Sequence, residues 1–65
     1  MWSVETSPDC RRWTREGGQF NHYVFADILF NFIVDCKMGG FIRLVDDETG
    51  IVHERARIEG FLLDK

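Results

Sequence analysis

The sequence predicts an α+β fold of order ββαββ: a small antiparallel sheet with one central helix packed on one face. Trp2, Val4 and Thr6 alternate with Ser3 and Glu5, which is typical of a half-buried strand. Residues 41–58 contain two β-prone runs joined by a polar turn. Between them lies a long apolar segment with the period of a helix. At 65 residues we expect a single domain, 1–65.

The first predicted unit is an N-terminal hairpin at residues 1–19. Trp2, Val4 and Thr6 would share one face of its first strand. Ser7-Pro8-Asp9 is typical of a turn, because proline presets the φ angle that the turn requires. The second strand is predicted at residues 10–15 and is expected to stop at Glu16-Gly17-Gly18.

The second predicted unit is a helix at residues 21–38. Asn21 is a favourable N-cap, and Gly39 can adopt the left-handed conformation that ends helices. A strand at 22–35 in a small barrel is the alternative. It is disfavoured because Asp27, Asn31 and Asp35 lie four residues apart, which aligns them on one side of a helix.

The apolar residues of this helix cover more than half of its circumference, whereas a surface helix needs an arc of only about 100°. We expect one part of the arc to face the sheet, formed by Phe25, Ala26, Leu29, Phe32, Ile33 and Cys36. A second stripe then remains, formed by Tyr23, Phe30 and Val34. Either the chain's own ends cover this stripe or it belongs to a protein interface.

The third predicted unit is a C-terminal hairpin at residues 41–58, followed by an apolar tail at 59–65. Its turn runs from Asp46 to Gly50, and glycine can supply the positive φ angle that such turns need. Within the tail, Phe61-Leu62-Leu63 requires an apolar surface to dock on.

Charge and composition disfavour several classes of function. The net charge is −3 and the pI about 5.2, whereas domains that grip phosphates usually have a basic pI. The start of the chain lacks the pattern of a secretory signal, and the apolar stretch at 23–34 is too short to cross a bilayer. We therefore expect a cytoplasmic protein with no membrane partner. Cys10 and Cys36 are then expected as free thiols, although one disulfide is arithmetically possible.

Neither a metal site nor a catalytic site is predicted. The four possible zinc donors, Cys10, His22, Cys36 and His53, are each separated by more than ten residues, unlike the close pairs of structural zinc sites. No spacing links a nucleophile to a base, and no glycine-rich phosphate loop is present. We expect a non-enzyme without a cofactor.

The favoured function is a protein-protein interaction module, a stoichiometric regulator or inhibitor of a larger cytoplasmic protein. Its predicted anchors are Tyr23, Phe30, Val34 and Trp13, because aromatic residues dominate interface energetics. Three acidic turn residues would steer a basic partner: Asp46, Asp47 and Glu48.

Two alternatives remain open. Five residues on predicted strands could form a basic and aromatic nucleic-acid face: Arg11, Trp13, Arg15, Arg55 and Arg57. Alternatively, the protein is a purely structural homo-oligomer in which the second helix stripe packs against the same stripe of a symmetry mate.

Overall fold

A four-stranded antiparallel sheet carries a single helix across one face in the computed structural model, which describes residues 1–36 and 39–58. The elements are β1 (Trp2–Ser7), β2 (Thr14–Phe20), α1 (Tyr23–Cys36), β3 (Phe41–Asp46) and β4 (Val52–Arg57). The predicted α+β class and ββαββ order are confirmed. The strand order across the sheet is β2-β1-β3-β4.

The two hairpins form one sheet because β1 pairs with β3. Trp2 stands opposite Asp46 and Ser7 opposite Phe41, so this pairing runs the full length of both strands. Helix α1 connects the edge strand β2 to the inner strand β3 and crosses the sheet on the way. The edge strands are therefore β2 and β4.

The core lies between α1 and one face of the sheet. Its buried residues are Val4, Ala26, Phe30, Ile33, Ile42, Leu44 and Ile58. Alternate residues of β1 and β3 point toward the helix, as the two-residue period of a strand requires. The residue after β4 joins this core because the backbone N–H of Ile58 donates to the Gly40 carbonyl at 2.8 Å.

The predicted position of β2 is wrong. The strand spans Thr14–Phe20 and runs through the glycine pair that was expected to end it. Ser3 pairs with Gln19 and Val4 with Glu16, so two extra residues form a bulge between these pairs. Gly17 and Gly18 occupy the bulge at φ +74° and +82°, which favours glycine.

The segment predicted as the start of that strand, residues 10–13, belongs instead to a loop at 8–13. The Asp9 carboxylate accepts backbone N–H groups from Arg11 at 2.9 Å and Arg12 at 3.1 Å. These hydrogen bonds stabilise the charged form and lower the pKa of Asp9. The loop returns the chain toward the sheet, so that Trp13 reaches Arg43 on β3.

Helix α1 begins at Tyr23, one residue later than an Asn21 cap would require. The His22 carbonyl accepts the N–H groups of Phe25 at 3.2 Å and Ala26 at 3.5 Å, so His22 occupies the N-cap position. Gly39 has the expected left-handed conformation at φ +78°. The predicted last helical residues, 37–38, lie outside the described residues.

The predicted orientation of α1 on the sheet is wrong. Phe30 is buried at 5% exposure, whereas Phe25 and Phe32 are 54% and 62% exposed. Cys36 is also exposed, while Ala26 and Ile33 face the core as expected. Because the apolar arc is wide, several rotations of α1 about its axis would place apolar residues against the sheet, and the sequence pattern does not distinguish among them.

The C-terminal hairpin forms within the predicted range. Gly50 closes its turn at φ +77°, and its N–H donates to the Asp46 carbonyl at 2.7 Å. The predicted apolar tail at 59–65 lies outside the described residues. Among residues 1–36 and 39–58, no helix combines the length and apolar character needed to cross a bilayer.

Candidate functional site

Among the described residues, the most exposed apolar surface is a ridge on α1, here called the helix stripe. Its members are Val24, Phe25, Ile28 and Phe32, which are 56%, 54%, 61% and 62% exposed. At 100° per residue they fill an arc of about 100° on the side of the helix that faces away from the sheet. This surface is continuous, because Val24, Ile28 and Phe32 follow one another at intervals of one turn.

One edge of the helix stripe is polar. Asn31 lies along this edge and Asp35 at the C-terminal end of the stripe, and both are exposed. The Asn31 amide donates to the Asp27 carbonyl at 2.9 Å, which holds the side chain along the helix. A partner that covers the stripe therefore meets an amide group at this edge and a carboxylate group at the C-terminal end.

The predicted anchor residues do not lie together. Phe30 lies in the core, and Val34 is half-buried against it. Tyr23 is partly exposed at the start of α1, and Trp13 lies over the opposite face of the sheet. The helix therefore does expose apolar side chains that the sheet leaves uncovered, but these are not the predicted residues. The arc that faces the sheet and the arc that faces away from it both carry apolar residues at helical spacing. The periodicity of the sequence therefore does not show which of them is buried.

Tyr23 connects α1 to β4. Its hydroxyl donates to the Glu54 carboxylate. Its ring lies edge-on to that of Trp2, with 5.0 Å between the ring centres. The hydrogen bond to Glu54, partial desolvation and the charges of Glu54 and Asp27 raise the pKa of Tyr23 to about 12. For Glu54, the Tyr23 hydrogen bond lowers the pKa, but Asp27 and burial outweigh it, so the pKa is raised.

The sheet face opposite the helix carries a row of charged residues in cross-strand register. From β2 to β4 these are Arg15, Glu5, Arg43 and Arg55. Arg43 is held on two sides: its Nε donates to Glu5 Oε1 at 2.7 Å, and its guanidinium carbon lies 3.9 Å from the Trp13 ring centre. The row thus alternates in sign until β4, where Arg55 follows Arg43.

Beside this row lies a depression of about 380 Å³, here called the sheet groove. Its lining includes Cys10, Trp13, Phe41, Arg43, Val52, Arg55 and Arg57. Within residues 1–36 and 39–58, neither Arg55 nor Arg57 has an ion-pair partner. The groove therefore combines apolar walls with two arginines that have no ion-pair partner among the described residues.

The residues predicted for nucleic-acid binding are partly brought together. Trp13, Arg55 and Arg57 line the sheet groove. Arg15 lies on the strand at the far edge of the sheet, and Arg11 is exposed in the loop after β1. Phe41 and Arg43 complete the groove but were not among the predicted residues. Both stand opposite arginines within the C-terminal hairpin, whereas Trp13 reaches Arg43 only because β1 pairs with β3, which neither hairpin alone reveals.

The acidic turn is largely engaged within the chain. Asp47 Oδ2 accepts hydrogen bonds from Ser3 Oγ at 2.7 Å and Gln19 Nε2 at 2.8 Å. Burial raises the pKa of Asp47, but these hydrogen bonds and the nearby Arg15 outweigh it, and the net pKa is lowered. Asp46 accepts the Glu48 N–H at 2.9 Å. Asp47 therefore ties the turn to β1 and β2.

Both cysteines are free thiols with exposed side chains, Cys10 beside the sheet groove and Cys36 at the last turn of α1. In the described part of the chain, no three His, Cys, Asp or Glu side chains lie close enough together to hold a metal ion. No protein-family model, curated protein or solved structure matches this chain. The candidate sites of this domain are its two surfaces, the helix stripe and the sheet groove.

Proposed function

We propose that this domain is a non-catalytic protein-interaction module, a stoichiometric regulator or inhibitor of a larger cytoplasmic protein that docks on the helix stripe. The observation that carries the proposal is the exposure of four large apolar side chains on one side of α1. Soluble monomers rarely expose contiguous apolar patches unless these bind something. Covering the half-exposed side chains would contribute roughly 1 kcal/mol each.

The shape of the helix stripe favours a helix as the occupant. Val24, Ile28 and Phe32 form a ridge of the i, i+4 type, which packs into the groove between ridges on another helix. Charge adds selectivity, since Asp35 is exposed at the C-terminal end of the stripe and the chain has a net charge of −3. We therefore expect a partner helix with an apolar face and basic residues at its border.

The test compares Ile28→Glu and Phe32→Glu with Asn31→Glu, a control that adds the same charge at the edge of the stripe. The partner is captured from the native extract with the unmodified domain, purified, and titrated calorimetrically against each variant. The stripe variants should weaken binding about tenfold or more, because they place a charge in an apolar contact. Asn31→Glu should bind at least as tightly as the original domain, because its added charge lies at the polar edge, where we expect the partner to be basic. Circular dichroism should show all variants folded.

Equal affinity of the two stripe variants and the original domain would overturn the assignment of the stripe. Light scattering on the purified domain separates a second copy of the chain from a larger partner. A dimer that Ile28→Glu dissociates would replace the larger partner with the homodimer alternative.

A further inference from the structure

We infer that the sheet groove binds a nucleotide unit, a planar base carrying a phosphate, either free or within a single strand. This site lies on the sheet face opposite α1 and is separate from the helix stripe. Its cations come from β3 and β4, and its aromatic side chains are Trp13 and Phe41.

The arrangement of charge favours an anionic ligand. Arg55 stands directly opposite Arg43 in the β3–β4 register, and like charges at such positions destabilise a sheet. Glu5 is already bonded to Arg43. Arg57 follows Arg55 by two residues on β4, so both side chains point to the same face about 7 Å apart. A phosphate between them would supply the compensating charge.

The arrangement of aromatic rings favours a planar ligand. Phe41 stands opposite Arg57, and Trp13 packs on the Arg43 guanidinium at 3.9 Å. Two of the three cations of the groove, Arg43 and Arg57, therefore have an aromatic residue beside them. Surfaces that bind unpaired nucleotides combine the same two features, stacking on rings and contacts from arginine to phosphate.

The size of the groove limits the bound part of the ligand to a single nucleotide. About 380 Å³ falls at the lower end of the range typical of small-ligand pockets. The chain as a whole has a net charge of −3, which opposes the approach of a long polyanion. A single nucleotide can use the local positive charge without covering the acidic remainder of the surface.

The test is a ¹H–¹⁵N NMR titration of the full chain at low salt. Adenosine 5′-monophosphate should give saturable shifts at the Trp13 indole N–H and the amides of β3 and β4. Adenosine and inorganic phosphate, each tested alone, should bind at least about tenfold more weakly, because each lacks half of the contacts. An oligoadenylate of about five nucleotides distinguishes the source: tighter binding than the monophosphate indicates a single strand, and equal binding indicates the free nucleotide.

Matched variants assign the shifts to the groove. Arg55→Gln and Arg57→Gln should each weaken binding of the monophosphate about tenfold. Arg12→Gln makes the same charge change in the loop, outside the groove, and should bind as the original chain does. Ile28→Glu should also retain nucleotide binding, so the two surfaces can fail independently.

Three outcomes would overturn the assignment. The first is the absence of saturable shifts with both the monophosphate and the oligonucleotide. The second is equal weakening by Arg12→Gln and Arg55→Gln, which would indicate a diffuse charge effect. The third is equally tight binding of an acidic peptide, which would replace the nucleotide with a peptide ligand.

Discussion

Tyr23 shows how one side chain links distant parts of the chain. Its hydroxyl bonds to Glu54 on the edge strand β4, and its ring contacts Trp2 at the start of β1. The His53 ring lies 4.8 Å from Trp2 and extends this cluster. The contacts fix the rotation of the first turn of α1, and with it the side of the helix that meets the sheet.

The titration of Tyr23 measures this link. The pKa is raised to about 12, so the stabilising effect of the hydrogen bond is complete below pH 10 and is lost as the pH rises through 12. Tyr23 is the single tyrosine of the chain, so an ultraviolet absorbance titration reports on it alone. Glu54→Gln should return the pKa toward 10, because it removes the charged acceptor.

Asp27→Asn is the control for this titration. It removes a more distant charge but keeps the hydrogen bond, so the pKa of Tyr23 should fall by less than it does in Glu54→Gln. A Glu54→Gln variant that titrates like the original protein would contradict the Tyr23–Glu54 contact.

At the scale of elements, local signals in the sequence were sufficient for the C-terminal hairpin and for the presence of the helix. The turn before Gly50 and the β-prone runs on either side act within a few residues of one another. The position of β2 depends instead on a bulge at Gly17 and Gly18. A glycine pair usually indicates the end of a strand, and only the pairing of Val4 with Glu16 and of Ser3 with Gln19 shows that the strand continues.

For a related reason, the sequence pattern could not predict which side of α1 faces the sheet. Periodicity separates apolar from polar positions, but on this helix Phe25, Phe30 and Phe32 all belong to the apolar arc. The choice among them is made by contacts between residues far apart in the chain, such as Tyr23 with Glu54. The same holds for the candidate site. The sequence predicted that the helix has more apolar surface than the sheet covers, but not which residues form the exposed part.

The row of charges across the sheet gives a prediction for the β3–β4 pair. Arg55→Glu should increase the free energy of unfolding by about 0.5 kcal/mol at low salt, because an opposed like charge becomes a pair with Arg43. The gain should shrink as salt rises, since the pair is at the surface. Urea unfolding followed by circular dichroism measures both effects.

Arg12→Glu makes the same charge change in the loop after β1 and should leave the free energy of unfolding nearly unchanged. An equal effect in both variants would assign the gain to net charge and not to the cross-strand pair.

At the scale of the whole molecule, the sheet separates two surfaces of different chemistry. The helix stripe lies on the outer side of α1 and is apolar. The sheet groove lies on the face of the sheet opposite α1 and is cationic. Trp13 belongs to the groove side and Tyr23 to the helix side, so the predicted anchors are divided between them. The two proposed ligands, a protein on the helix stripe and a nucleotide in the sheet groove, would therefore bind on opposite sides of the domain.

The two phenylalanines at positions 30 and 32 test whether this division between core and surface is correct. Phe30 is 5% exposed, so Phe30→Ala should lower the free energy of unfolding by about 3–5 kcal/mol and leave so small a domain largely unfolded. Phe32 is 62% exposed, so Phe32→Ala should cost less than about 1 kcal/mol. Urea unfolding followed by circular dichroism compares them. Equal losses would contradict the rotation of α1 and place the helix stripe against the sheet.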